Sequence, residues 1–414
     1  MGSAAPRAGS FPIRHGAAPG ADFAVRSRDG DERSVYHVRC LPADFPRWRF
    51  QRFGPGSPGL FVVSFNHRKP WIVVFDHSGT PRWWLNPPTR ALWAQILPNG
   101  RVAWPRSFGD GYGLDPRMAH EVRSLAGRLR RLVRTEGSIV DGHEFRVLGN
   151  GDVLIDAYPP GADVDLRRFG GSAKTTAAFA EVQEVDPSGR IVWRWNSRGR
   201  IRLAETGRWW RNVLSNPKRG PTGSEQFDAV HVNSIDMGPG GEVVVSMRHT
   251  DAVYGVDRVT KRIEWKLGGT PTPESMRVVG DPARRLFGGQ HDARLGSDDV
   301  LSVFDNGKDR PRLPRVAFYR LDPERRTATY LGQLNDPLVH RSHCCGSARP
   351  LPDGDWLVSW GDNPIVSAFD DEGRMTFRLT LPAPTFRAVP VPEGAAGVAA
   401  LDRGMEAMEL GPAE

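Results

Sequence analysis

Apolar and polar residues alternate along most of this chain in short runs, and turns rich in Gly, Asn and Asp cut the runs apart. A period of two marks a strand with one covered face, so the pattern predicts many short strands. It is fullest over residues 227–306. There His231-Val-Asn233-Ser-Ile-Asp-Met runs into a Gly-Pro-Gly-Gly turn and then Glu-Val-Val-Val-Ser-Met-Arg248-His249. Residues 253–265 alternate around a polar turn. Gln290-His291-Asp292-Ala-Arg294 then leads through Gly-Ser-Asp-Asp to Val-Leu-Ser-Val-Phe-Asp305-Asn306. A strand-turn-strand unit repeated in this way is the raw material of a four-stranded antiparallel blade.

The same two half-motifs recur on both sides of that centre, as an apolar strand ending in Asp before a turn and as a hairpin around a Gly turn. The first occurs at 73–84, 182–195, 253–265, 318–331 and 368–379. The second occurs at 93–104, 143–157, 231–246, 291–304 and 346–360. Repeats of this length that cannot bury their faces alone must stack, and stacked antiparallel blades form a propeller. The expected fold is therefore all-β, a six-bladed β-propeller of four-stranded antiparallel blades with inserted loops. The expected domain limits are a disordered leader at 1–35, the propeller at 36–391 and a flexible tail at 392–414. Insertions fall at 105–142, which contains a basic helical candidate at 115–134, and at 158–175 and 197–226. The last carries Trp209 and Trp210 and reads as a lid or substrate-facing loop. Closure of the ring is expected from 36–53 or from 60–65.

Composition changes this picture little. Gly 46, Pro 35 and Trp 13 fit short strands joined by turns, and the formal net charge is +8. Nearly all of the basic side chains are Arg and they are scattered over the chain, which argues against a nucleic-acid footprint. Cys40, Cys344 and Cys345 provide neither a disulfide framework nor a metal-type spacing. They read as buried thiols, although adjacent Cys344 and Cys345 could close a vicinal disulfide or one could pair with Cys40. No run reaches the ~18 apolar residues of a membrane span. The start of the chain shows no secretory signal, which reads as cytoplasmic.

His143, His231, His291 and His343 stand at equivalent places, each just before the first hairpin of a repeat. The first strand of a propeller blade is innermost, so equivalent positions converge at one end of the central channel. Single histidines at strand starts are mostly hydrogen-bonded core residues, but four in register fit that explanation poorly. Three chemistries suit such a basin: a metal held by three His, nucleophilic attack by neutral imidazole with cations holding an anionic substrate, or binding alone. Arg248 and Arg294 would supply the cations. Phosphate cradles, a Ser elbow and a dinucleotide fingerprint are absent.

Several motifs resemble the bacterial aryl-sulfate sulfotransferases. They are Asp141-Gly-His143-Glu-Phe, Phe227-Asp-Ala-Val-His231-Val-Asn233-Ser-Ile, Ser246-Met-Arg248-His249, Gly289-Gln290-His291-Asp292-Ala-Arg294 and Phe304-Asp305-Asn306-Gly307. Cys345-Gly-Ser-Ala-Arg349 and Val358-Ser-Trp360-Gly are similar to the family's last blade. The resemblance covers residues 36 to 391. It implies transfer of a sulfuryl group from an aryl sulfate ester to a phenolic acceptor, by a ping-pong route through a sulfo-histidine and without phosphoadenosine phosphosulfate. By motif, His291 resembles the nucleophile, His231, Asn233 and Arg248 the holders of the sulfate oxygens, and His143 a further catalytic histidine. His343 and Arg294 are carried as substrate-binding candidates by position. No cofactor or metal is implied, and the partners are small molecules. Relatives are exported, which points outside the cytoplasm, whereas the start of this chain does not. The rival readings are a metal-dependent propeller hydrolase, such as a lactonase or esterase, and a non-catalytic binding propeller.

Overall fold

The computed structural model describes residues 22–29, 32–108, 113–220 and 223–409. Most of the leader, 1–21, lies outside the described residues, while Asp22–Asp29 and Glu32–Arg39 pair as an antiparallel hairpin. Six sheets of four or five strands then follow one another around the structure, and a seventh, built from the short strands Ala162–Val164, Thr175–Ala178, Lys218–Arg219 and Glu225–Asp228, is inserted between the third and the fourth, among the described residues. Sheet 1 is built from Phe61–His67, Lys69–Phe75 and Pro81–Leu85, and sheet 2 from short segments between Arg90 and Val133. Ile139–Val147, Val153–Tyr158, Glu181–Val185 and Ile191–Asn196 form sheet 3. Sheet 4 runs from Val232–Met237 to Ile263–Gly268, sheet 5 from His291–Leu295 to Thr327–Leu334, and sheet 6 from Ser347–Pro350 to Met375–Thr380. Nearly every strand is hydrogen-bonded to its sequence neighbour, and each sheet touches the next through its inner strands until the sixth meets the first. This is a β-propeller.

The ring is closed by strand exchange between the chain ends. Ala388–Pro390 pairs with Phe61–His67, so sheet 1 takes its inner strand from the far end of the sequence. Arg49–Arg52 adds to the outer strand of sheet 6. Both segments considered for closure are thus used, in different sheets.

Three expectations are corrected. Residues 115–134 are not a helix: His120–Arg123 and Leu129–Val133 are paired strands, turned at Gly127 with φ 75°. Arg130 and Arg131 are consecutive on the second strand and so project to its opposite faces, which is no helical stripe. The tail expected at 392–414 is a packed helix over Val398–Glu409, with Leu401 and Met405 buried against sheet 1. Trp209 and Trp210 are buried in the core, not displayed to a substrate. Their segment is the 3₁₀ turn Leu203–Trp209 followed by the short helix Trp210–Ser215. Large aromatics fill the space between sheets, among them Trp71, Trp83, Trp93, Trp104, Trp195 and Trp360. No helix of the described residues is long and apolar enough to cross a membrane.

Candidate functional site

Three of the four in-register histidines meet. His143, His231 and His291 line one cavity of about 300 Å³ together with Asn66, Arg90, Cys344, Cys345 and Phe386. The inner strands that deliver them are irregular at these points. The register of sheets 3, 4 and 5 shifts between Val140 and Phe145, between Val232 and Ser234, and between His291 and Arg294. A bulge re-aims side chains and commonly sits beside an active site. His231, Asp292 and Cys345 also hold positive φ of 52°, 49° and 68°. Such backbone is costly for residues with a side chain and persists where surrounding contacts enforce it.

Each histidine has an assigned orientation. His291 Nδ1–H donates to the Gly289 carbonyl at 3.0 Å, and the Cys345 backbone N–H donates to its Nε2 at 3.2 Å. Its Nε2 therefore carries the lone pair. Burial drives His291 well below the usual histidine value, helped by the cation of Arg248 and by His143 and His231. Neutral imidazole is the consequence at ordinary pH. His143 Nδ1 bonds the Asp141 carboxylate at 2.8 Å, and the rings of His143 and His231 lie 5.0 Å apart. His231 Nδ1 bonds the Asp228 carboxylate, whose other oxygen accepts the His231 backbone N–H at 2.9 Å.

Arg248 stands beside this group. Its Nη1 donates to His249 Nε2 at 3.0 Å and its Nη2 to the His343 carbonyl at 3.0 Å, while the guanidinium lies 4.2 Å from the ring centre of Trp209. Its Nε is buried without a partner among the described residues. Desolvation lowers its pKa, but an arginine so placed stays charged. Asp251 anchors the support: it accepts Trp209 Nε1–H at 2.9 Å, the Gly289 N–H at 2.9 Å, and both Arg208 and Arg310.

The remaining sequence candidates lie elsewhere. His343 is half-exposed and turned to Asp362 at 2.8 Å, so only its backbone carbonyl serves the site. Asn233 is fully buried and donates to the Gln290 carbonyl at 2.7 Å. Arg294 is consumed by Glu144 and by Asp292 at 2.7 Å. Neither lines the cavity. Below it, Arg349 also reaches Asp292 at 2.7 Å, and Arg387 reaches Glu144 at 3.1 Å and the Asn233 carbonyl at 2.8 Å. Arg294, Arg349 and Arg387 are thus held by the carboxylates of Asp292 and Glu144, with Asp236 also acting on Arg294. Sequence reasoning passed over Asp228 and His249, although both stand inside the quoted motifs. A carboxylate three residues before His231 was the available signal.

Two carboxylate–histidine groups have ligand atoms close enough for a metal: Asp228, His231 and His249, and Asp141, His143 and Asp156. Hydrogen bonds account for much of both. His249 Nδ1–H donates to the Asp228 carbonyl at 2.8 Å with Arg248 on its other nitrogen, and burial, together with the neighbouring Asp141, raises the pKa of Asp156 and disfavours its charged, metal-binding form. These donor sets fit a metal poorly. A larger cavity, about 410 Å³, is lined by Arg208, Arg284, Arg285 and Arg310. It contains no imidazole, and the histidine cavity is the better candidate for chemistry.

The sequence model of the arylsulfotransferase (ASST) family matches residues 130–381. The chain belongs to that family. In this arylsulfotransferase-family protein the matched span holds all three cavity histidines and Arg248 but not the strands of sheet 1. No curated protein matches the chain. Solved structures similar to it include a protein of unknown function from Bacteroides caccae, at 12% identity over 81% of this chain and 100% of that one, TM-score 0.48. Another is the β-propeller domain of Cps50 (Swd1) from Myceliophteria thermophila, at 13% identity over 82% and 90% of the two chains, TM-score 0.39. The architecture rests on the strand order above, not on these likenesses.

Proposed function

We propose that this protein moves a sulfuryl group from an aryl sulfate ester to a phenolic acceptor in two steps through His291, independently of phosphoadenosine phosphosulfate. The observation that carries the reading is a neutral imidazole with its lone pair at Nε2, in a cavity shared with two further histidines, with the Arg248 cation behind the cavity wall and close enough to act on His291. Sulfuryl transfer resembles phosphoryl transfer, where positioning and cationic donors stabilise charge on the peripheral oxygens. In the first step His291 Nε2 bonds to sulfur as the S–O bond to the aryl group breaks. The Cys345 N–H that rests on Nε2 must leave it, and a sulfate oxygen is its natural new acceptor. His231 and Arg248 face the sulfuryl oxygens. His143, with its Nδ1 held by Asp141, passes a proton from its other nitrogen to the departing phenolate. The acceptor phenol then gives a proton back to His143 and takes the sulfuryl group, which restores neutral His291.

The test is incubation with 4-nitrophenyl sulfate, with and without phenol, while nitrophenolate release and intact mass are followed. Phenol-dependent release with one transient sulfuryl adduct on the His291 peptide is expected. His291→Asn should abolish both and remain folded. Unchanged turnover in that variant would remove His291 as nucleophile. A metal-dependent hydrolase is the second reading, favoured only by the cluster of Asp228, His231 and His249; nitrophenolate release abolished by chelator and restored by a divalent ion would select it.

A further inference from the structure

Adjacent Cys344 and Cys345 line the histidine cavity, and the mechanism above uses neither thiol. Both are free and partly exposed. Their backbone, however, is gripped by the site on every side. The Cys345 N–H reaches His291 Nε2 at 3.2 Å, and the Cys345 carbonyl accepts Asn306 Nδ2–H at 3.2 Å. The Cys344 carbonyl accepts Ser342 Oγ–H at 3.2 Å, and the preceding His343 carbonyl accepts Arg248 Nη2–H at 3.0 Å. Cys345 sits at φ 68°, a conformation these contacts must enforce. The peptide between the two cysteines is thus the piece of backbone that touches the lone pair of His291.

We propose that Cys344 and Cys345 form a modification site, a reversible disulfide between neighbours that resets the reactivity of His291. A bond between adjacent cysteines encloses their shared peptide in a small ring, so the amide N–H cannot keep its direction. The oxidant is a low-molecular-weight disulfide. Cys344 thiolate attacks one of its sulfurs and expels one thiol, and Cys345 then attacks the Cys344 sulfur and expels the second. Two electrons and two protons leave with the two thiols. Cys344 is the fitting first attacker, because its partner thiol and the nearby Arg248 lower its pKa while that of Cys345 is raised.

The experiment treats the full chain with oxidised glutathione, reads the disulfide by peptide mass, and measures the rate at which diethyl pyrocarbonate carbethoxylates His291. This readout needs no sulfate chemistry, so it stands or falls apart from the proposed function. Expected is a linked Cys344–Cys345 peptide, loss of two hydrogens from the intact mass, and a change of about tenfold in the His291 rate. Dithiothreitol should reverse both. Cys344→Ser and Cys344→Ala should show the same His291 rate before and after oxidant, whatever that rate is. Thiols that stay reduced, a link to Cys40 or to a second chain, or a disulfide that leaves the His291 rate unchanged would each overturn the proposal. Where aryl sulfate turnover is present, it should change with oxidation in the wild type and hold a constant ratio in both variants.

Discussion

The chemistry assigned to His291 depends on one ring being kept uncharged. Desolvation and the neighbouring Arg248 both press its pKa down. A histidine with a depressed pKa remains neutral as pH falls past the ordinary value, so formation of the sulfuryl adduct from 4-nitrophenyl sulfate should be constant from about pH 7.5 to about pH 6. The good leaving group removes the need for acid help. Adduct mass in a single turnover checks this, and a halving near the free-histidine value would show that the cavity does not shift His291. Arg248 supplies the opposite quality, a fixed charge. Arg248→Ala should lower kcat/KM by about 2–4 kcal/mol, as loss of a donor to developing negative charge does. Steady-state kinetics measure it, and a change near zero would exclude Arg248 from the site. Position and motif single out His143, His231, His291 and Arg248, and the fold brings the three histidines to one cavity with Arg248 close by. Asn233, His343 and Arg294 were named by the same logic, but strand register turns their side chains to other partners.

Short segments between strands do the positioning. The turn Leu203–Trp209 places Trp209 beneath Arg248 and ties it to Asp251, which also holds the Gly289 N–H. The Gly289 carbonyl in turn fixes His291 Nδ1. Asp251→Ala would leave Arg310, whose side chain is buried, without its carboxylate and the partly buried Arg208 with Asp309 alone. It should destabilise the protein by about 3–5 kcal/mol, as breaking a buried pair does. Urea unfolding checks the first effect, and a fall in turnover beyond the loss of folded protein checks the displacement of Gly289. Residues 197–226 were read as a lid because they are long and carry two tryptophans. Their packing shows the alternative use of aromatic residues in a connection, namely anchoring it to the core.

The ring as a whole is held from its two chain ends and through its axis. Arg387 is fully buried and joins Glu144 of sheet 3 to the Asn233 carbonyl of sheet 4, with its guanidinium 4.8 Å from the Trp93 ring centre in sheet 2. Truncation after residue 386 removes this cation and the strand Ala388–Pro390. It should abolish cooperative thermal unfolding, whereas truncation after residue 397 should only lower the midpoint, since it removes the Val398–Glu409 helix alone. Calorimetry distinguishes them. Acid should also weaken the fold. Burial lowers His120 to about 4 and His249 to about 3, so both stay neutral where an unfolded chain would bind protons. Their contribution is complete above the unfolded value and is lost as pH falls toward the folded values. By pH 5 the loss amounts to about 2 kcal/mol each, and Asp156, with its raised pKa, works in the opposite sense. Urea midpoints at pH 7 and pH 5 measure the net effect.

Periodicity along the chain was enough for the strands, the turns and their repetition, because an alternating pattern has one stable outcome once its apolar face is covered. Repetition also placed equivalent histidines at equivalent depths, and this is why three of them could be named before any coordinates. Which nitrogen of each ring faces the cavity, which carboxylate holds it and which arginines are spent on the channel floor depend on contacts between sheets far apart in sequence. The basic stretch at 115–134 and the C-terminal helix were misread for the same reason. Their own residues leave the local choice nearly balanced, and packing against sheets 1 to 3 settles it.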